Sequence, residues 1–264
     1  MNNLRARTIM VEDQPVRFYE HIGENTFLPP LVFLHGWRSS SRVWELTLRA
    51  FKEGGFTFYL IDLPGFGESD LPKEVFSIDK YAAVVEACIK RLGLLDPVLI
   101  GHSFGGRIGI KIAAKEKKIL SKLVLVDAAG IRVEKGLTWK KILAKTVKPI
   151  FLLFPLEGLR RRIYQQLGAE DYLATPKLKE TFVRIIEEDL RELLPKISCP
   201  TLIIWGDRDT ETPLSVAHTM ERRIPNSTLV IFEGAGHTSF LDEPGRFGQE
   251  IVAFIKKTSN EKES

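Results

Sequence analysis

Six short, almost wholly apolar runs, 31–34, 56–61, 98–100, 123–126, 202–205 and 229–232, recur along the chain with helical stretches between them. None alternates apolar with polar residues, so each reads as a strand covered on both faces. Strands of that kind need helices on either side, which makes the fold class α/β, with crossover helices joining a mainly parallel sheet. Two earlier segments, 5–11 and 16–21, flank the turn-like Glu12-Asp13-Gln14-Pro15 and read as a hairpin leading into it, for eight strands in all. Segment 78–92 carries Tyr81, Val84, Val85, Cys88, Ile89 and Leu92 at helical spacing, ahead of Gly93 as a stop signal.

From 131 to 195 the rhythm breaks into helical patterns without a strand. The expected organisation is a core domain of 1–130 and 196–264 with a helical cap inserted at 131–195. A chain of 264 residues buries enough surface to need no disulfide or metal staple. Cys88 and Cys199 lack the C-x-x-C spacing of a zinc or redox site, and Cys88 lies on the apolar face of its helix. The net charge of +4 comes with no basic run interleaved with aromatics, so nucleic acid is excluded as a partner. MNNLRARTIM has no apolar signal region, and the densest apolar run, 150–156, is too short to cross a bilayer; the expected location is the cytoplasm.

The chemistry concentrates where the run 98–100 meets Gly101-His102-Ser103-Phe104-Gly105-Gly106 and a helix-compatible segment, 107–115, follows. This is G-x-S-x-G in the strand–turn–helix context the motif requires. Small neighbours permit a sharp turn that lifts the serine hydroxyl clear of the chain, and the helix start aims free backbone N–H groups at it. A serine hydroxyl needs a base to act as a nucleophile. Of five histidines, His237 follows the last strand in the loop Gly234-Ala235-Gly236-His237, where it reaches the sheet's C-terminal edge. His218 lies within a helical pattern and His21 ends a hairpin strand, while His102 leaves the turn in another direction, towards packing or support. For the carboxylate that orients the base, Asp209 and Asp207 in Gly206-Asp207-Arg208-Asp209 compete with Asp127 at the preceding strand end. Spacing alone does not choose among them.

In the order Ser103, Asp209, His237 the chain resembles the α/β-hydrolase superfamily, and the resemblance runs from the hairpin to the last helix. It is carried by His35-Gly36-Trp37, the segment from Asp62-Leu63-Pro64-Gly65 to Ser69, the Ser103 turn, Trp205-Gly206-Asp207-Arg208-Asp209 and Gly236-His237. The resemblance favours Asp209 as the acid and implies an oxyanion hole from the backbone N–H groups of Trp37 and Phe104. It implies a serine hydrolase of carboxylic esters or lactones, working through an acyl-enzyme on a small molecule with no metal or organic cofactor. Serine at the turn argues against the superfamily's aspartate-dependent dehalogenases and epoxide hydrolases. Carbon–carbon bond hydrolases, cofactor-free perhydrolases and receptor-like small-molecule binders remain as alternatives.

The substrate pocket is expected from His35, Trp37, His102, Trp139, Phe151 and Phe154, under a cap that selects the substrate. Arg107, four residues after the serine, is a candidate contact for an anionic substrate, against a surface or supporting role. Residues 131–168 hold nine Lys or Arg and two Glu, net +7, which leaves −3 for the rest of the chain. That basic front attracts anions or rests transiently on an anionic membrane surface, or it is a solvated outer helix face. Oligomeric state is left open.

Overall fold

A computed structural model describes residues 4–115, 119–132 and 176–260. Its eight strands are β1 (Arg5–Val11), β2 (Gln14–His21), β3 (Leu31–Leu34), β4 (Phe58–Ile61), β5 (Val98–His102), β6 (Lys122–Val126), β7 (Thr201–Gly206) and β8 (Ser227–Phe232). They form one sheet in the order β1-β2-β4-β3-β5-β6-β7-β8. The β1–β2 and β2–β4 pairings are antiparallel and the others parallel. The described helices are α1 (Arg49–Glu53), α2 (Ile78–Arg91), α3 (Phe104–Ala113), α4 (Lys179–Glu187), α5 (Leu214–Arg223), α6 (Ser239–Asp242) and α7 (Pro244–Asn260).

All the parallel strands except β8 are buried on both faces, and their successive residues feed two separate apolar layers; β8, expected to be covered likewise, lies at the sheet edge with Thr228 exposed and only Phe232 fully buried. Val32, Leu34, Leu99, Leu123, Leu125, Ile203 and Trp205 join one layer, to which α2, α3 and α5 contribute Val85, Ile108 and Met220. Leu31, Phe33, Val98, Ile100, Val124, Val126 and Ile204 join the other, completed by Phe51 of α1 and Phe247 of α7. The segment returning to the sheet before β7 is helical, and its Leu178, Ile185, Leu190 and Leu194 pack into the first layer. Residues 133–175, most of the expected cap, lie outside the described residues. Among the described residues no helix is long and apolar enough to cross a membrane.

Several element boundaries differ from the sequence expectation. The hairpin turn shrinks to Glu12-Asp13 because β2 begins at Gln14, and Pro15 sits opposite Met10. A proline is tolerated there because the pairing of β2 with β4 starts only at Phe18, leaving that side of Pro15 without a ladder to feed. β4 starts at Phe58, not at 56, since the Phe56 amide donates to the Phe51 carbonyl and closes the end of α1. β5 runs on through Gly101 and His102, which pair with Leu125 and Val126. α3 begins at Phe104, not at 107.

In the second layer, Trp44 is fully buried, with its ring 5.3 Å from Phe33, 4.5 Å from Phe240 and 5.9 Å from Phe247 (centroid distances). It couples β3 to α6 and α7, the helices that follow the His237 loop. Trp44→Ala is expected to lower stability by about 3–5 kcal/mol, read as a fall in the urea midpoint.

Candidate active site

The site is built on the turn between β5 and α3. Ser103 holds φ 48° and ψ −106°, a conformation that costs a non-glycine residue about 1–3 kcal/mol and persists only where its surroundings over-determine it. Here the Ser103 amide donates to the Val126 carbonyl at 3.0 Å, and the Ser103 carbonyl accepts from the amides of Arg107 and Ala129 at 3.2 and 3.1 Å. Close approach explains two glycines. A Cβ at Gly105 would land on the Leu34 carbonyl, and one at Gly36 would lie 2.9 Å from His102 Nδ1. Both absences let the end of β3 and its following loop lie against the serine turn.

Ser103 Oγ stands 3.0 Å from His237 Nε2, and His237 Nδ1 stands 2.8 Å from Asp209 Oδ2. The fold therefore brings these three candidate residues into one hydrogen-bonded line, although Asp209 comes from the loop after β7 and His237 from the loop after β8. Asp209 also accepts from the amides of Glu211 and Thr212 at 2.8 and 2.9 Å and from the Thr212 hydroxyl at 2.6 Å. Burial acts to raise the Asp209 pKa, but the hydrogen bonds from His237 and Thr212 and the nearby imidazole outweigh it and hold the carboxyl below the ordinary range. Burial likewise acts to lower the His237 pKa, and the bond and charge of Asp209 prevail, with Glu211 and Asp127 adding to them, so it lies above the ordinary imidazole value.

The competing aspartates have other partners. Asp207 accepts from the Gly234 amide at 2.6 Å and closes the loop after β8. Asp127 is fully buried, accepting from the Gly206 amide at 2.9 Å and from the Ser239 amide and hydroxyl at 3.1 and 2.6 Å. It joins the ends of β6 and β7 to α6. Burial pushes its pKa up to about 7 against those donors.

Two residues expected in the pocket wall are instead internal struts. His35 is completely buried, with Nδ1–H donating to the Gly36 carbonyl at 2.7 Å and Nε2 accepting the Leu63 amide at 3.0 Å. That tautomer follows from Nε2 receiving an N–H. His102 is only 5% exposed and donates from Nε2 to the His237 carbonyl at 2.8 Å, while its Nδ1 has no partner among the described residues. Burial and then the neighbouring His237 lower its pKa to about 3, so the ring stays neutral. Arg107 is turned inward as well: 6% exposed, its Nη2 donates to the carbonyls of Ile185 (2.7 Å) and Glu188, tying α3 to the C-terminal end of α4.

Trp37 is half-buried, with its ring 4.7 Å from Phe66, 5.2 Å from Phe104 and 5.1 Å from Phe182 (centroid distances). Phe66 and Phe182 were not singled out from the sequence. The other expected pocket residues, Trp139, Phe151 and Phe154, lie outside the described residues, as does all but the first two positions of the basic stretch 131–168. Among the described residues no group of His, Cys, Asp or Glu is arranged to hold a metal ion.

Sequence reasoning also passed over Thr212 and Ser239. The only signal for Thr212 is its place three residues after Asp209, where an aspartate that accepts from following amides builds a turn. Asp62 serves as scaffold: its carboxylate accepts from the amides of Ser41 at 2.7 Å and Glu68 at 2.8 Å.

A mainly parallel eight-stranded sheet with a strained serine at the β5–α3 turn and a histidine–aspartate pair across the strand ends defines the α/β-hydrolase class. A model of the Alpha/beta hydrolase family matches residues 31–250, and the chain belongs to that family. It is 30% identical over 266 residues to the AB hydrolase superfamily protein YisY of Bacillus subtilis, covering 93% of this chain and 97% of that protein. A pimeloyl-[acyl-carrier protein] methyl ester esterase of Vibrio atlanticus is 27% identical, with 87% of this chain and 95% of the relative covered. Among solved structures, the esterase EaEST from Exiguobacterium antarcticum aligns over 96% of this chain and 100% of its own, with TM-score 0.74 and 27% identity.

The electrostatics can be checked without a substrate. Followed by NMR, the His237 ring is expected to titrate with a midpoint above the ordinary value of about 6.5. Asp209→Asn should bring the midpoint down, while Asp207→Asn leaves it in place.

Proposed function

We propose that this protein is a serine hydrolase of small-molecule carboxylic esters or lactones, acting through an acyl-enzyme with Ser103, His237 and Asp209 as its triad. The observation that carries this reading is the line of two hydrogen bonds from Ser103 Oγ through the His237 ring to Asp209. The esterase relatives named above support the choice of an ester bond.

Asp209 holds the Nδ1–H tautomer of His237, so Nε2 presents a lone pair to the serine hydroxyl. As Oγ attacks the substrate carbonyl carbon, its proton passes to Nε2 and negative charge moves onto the carbonyl oxygen. The backbone N–H groups of Trp37 and Phe104 stabilise that oxyanion; the first lies on the loop drawn against the turn at Gly36 and the second opens α3. Collapse of the tetrahedral intermediate breaks the bond to the alkoxy oxygen, which leaves with the proton from Nε2. In a lactone that oxygen stays tethered to the acyl group. Water then gives its proton to Nε2, attacks the acyl carbon and releases the acid, returning the proton to Ser103 Oγ.

A panel of nitrophenyl esters and acyl-lactones is expected to give turnover that Ser103→Ala reduces by about 10⁴–10⁶-fold in kcat. A fluorophosphonate probe should label Ser103; an unlabelled serine with no turnover would overturn the reading in favour of a binding role. Asp209→Asn is expected to lower kcat about 10⁴-fold by releasing the wrong imidazole tautomer, with a far smaller loss for Asp207→Asn. Since the base must be neutral, kcat/KM should rise with pH through the raised His237 value.

A further inference from the structure

The triad histidine is flanked by two carboxylates. Asp209 approaches Nδ1 at 2.8 Å from a buried position, and Glu211 Oε2 lies 3.5 Å from Nε2, the nitrogen that faces Ser103 Oγ at 3.0 Å. The Glu211 side chain is 68% exposed, against 0% for Asp209. Its placement follows from the turn that organises the acid, because the Glu211 amide donates to Asp209 Oδ1 at 2.8 Å. The carboxylate that orients the base therefore also sets a second, solvent-facing carboxylate at the side where substrate must arrive.

From this geometry we infer that Glu211 is a specificity-determining residue that disfavours substrates carrying a negative charge near the scissile carbonyl. The inference rests on the proposed ester hydrolysis at Ser103. With His237 neutral, Nε2 points a lone pair towards the serine, and the Glu211 oxygen stands 3.5 Å from that same nitrogen. An acyl chain or leaving group ending in a carboxylate brings a second negative charge into the same few ångströms, in a medium less screening than bulk water. A neutral substrate meets no such repulsion, and the imidazolium formed during attack is attracted to both carboxylates. The other groups facing His237 do not take this role. Asp209 and Asp127 are buried and occupied by Thr212, Gly206 and Ser239, and His102 is held neutral behind the His237 backbone. Glu211 is also among the charges that raise the His237 pKa.

The experiment compares kcat/KM for 4-nitrophenyl pentanoate and mono-4-nitrophenyl glutarate, esters of similar length that differ in one terminal carboxylate. Glu211→Gln is expected to raise the glutarate-to-pentanoate ratio about threefold to tenfold at low ionic strength, with the gain shrinking in 0.5 M salt. Glu221→Gln on α5 serves as a charge control and should leave the ratio alone. Independently of turnover, the NMR midpoint of His237 should fall in Glu211→Gln. An unchanged ratio in an enzyme that still cleaves the pentanoate overturns this inference alone, as does an unchanged His237 midpoint. Failure of the wild type on both esters overturns the esterase reading, and the inference with it.

Discussion

The site depends on a backbone contact between β3 and the turn after β5. The Gly105 amide donates to the His35 carbonyl at 3.1 Å, and Gly105 lies so close to Leu34 that a side chain has no room. That contact fixes where α3 starts, and with it the left-handed Ser103. It also fixes the loop after His35, whose ring clamps Gly36 on one side and Leu63 on the other. Ser103 and the adjacent N–H donors are thus set by main-chain packing at the centre of the sheet, where both faces are covered and nothing yields cheaply.

The imidazole is positioned differently, by a chain of polar contacts at the sheet's edge. Asp209 is fixed by its own turn through the amides of Glu211 and Thr212, and Thr212 reaches back to the Asp127 carbonyl at 3.1 Å. His102 supports the His237 main chain from below. Ser103 therefore belongs to the rigid centre, whereas His237 and Asp209 hang on hydrogen bonds between three loops. Those bonds align three groups only because each loop leaves a strand of the same sheet in parallel register.

Much of this was legible in the sequence. The parallel strands stood out because burial on both faces removes polar alternation, and the serine turn because its glycines meet a steric demand that few other sequences satisfy. What was missed shares a physical reason: it depends on which partner takes an amide. Phe56 reads as strand, yet its amide closes α1. His35 reads as a pocket residue, yet both its ring nitrogens serve backbone groups, while His102, read both as pocket and as support, gives Nε2 to the His237 carbonyl. Asp127, Asp207 and Asp209 all sit at strand ends, and only their hydrogen-bond donors separate them. Glu211 carries no pattern at all, since its importance comes from a turn that another residue's carboxylate folds.

Asp127, the buried tie between β6, β7 and α6, has a consequence for how the fold responds to protons. A carboxyl held up at about 7 keeps its proton in the folded chain across a range where the unfolded chain, at about 3.8, has lost it. The folded state therefore binds more protons there, and this group's contribution to stability is present below the unfolded value and is lost as pH rises through about 7. Asp209, held below its ordinary range, has the opposite linkage: its contribution is present above the unfolded value and is lost as pH falls through the folded one. The loops that bring His237 and Asp209 together thus carry two opposed proton linkages, and at neutral pH the ionised state that suits Asp209 is the one that strains its neighbour.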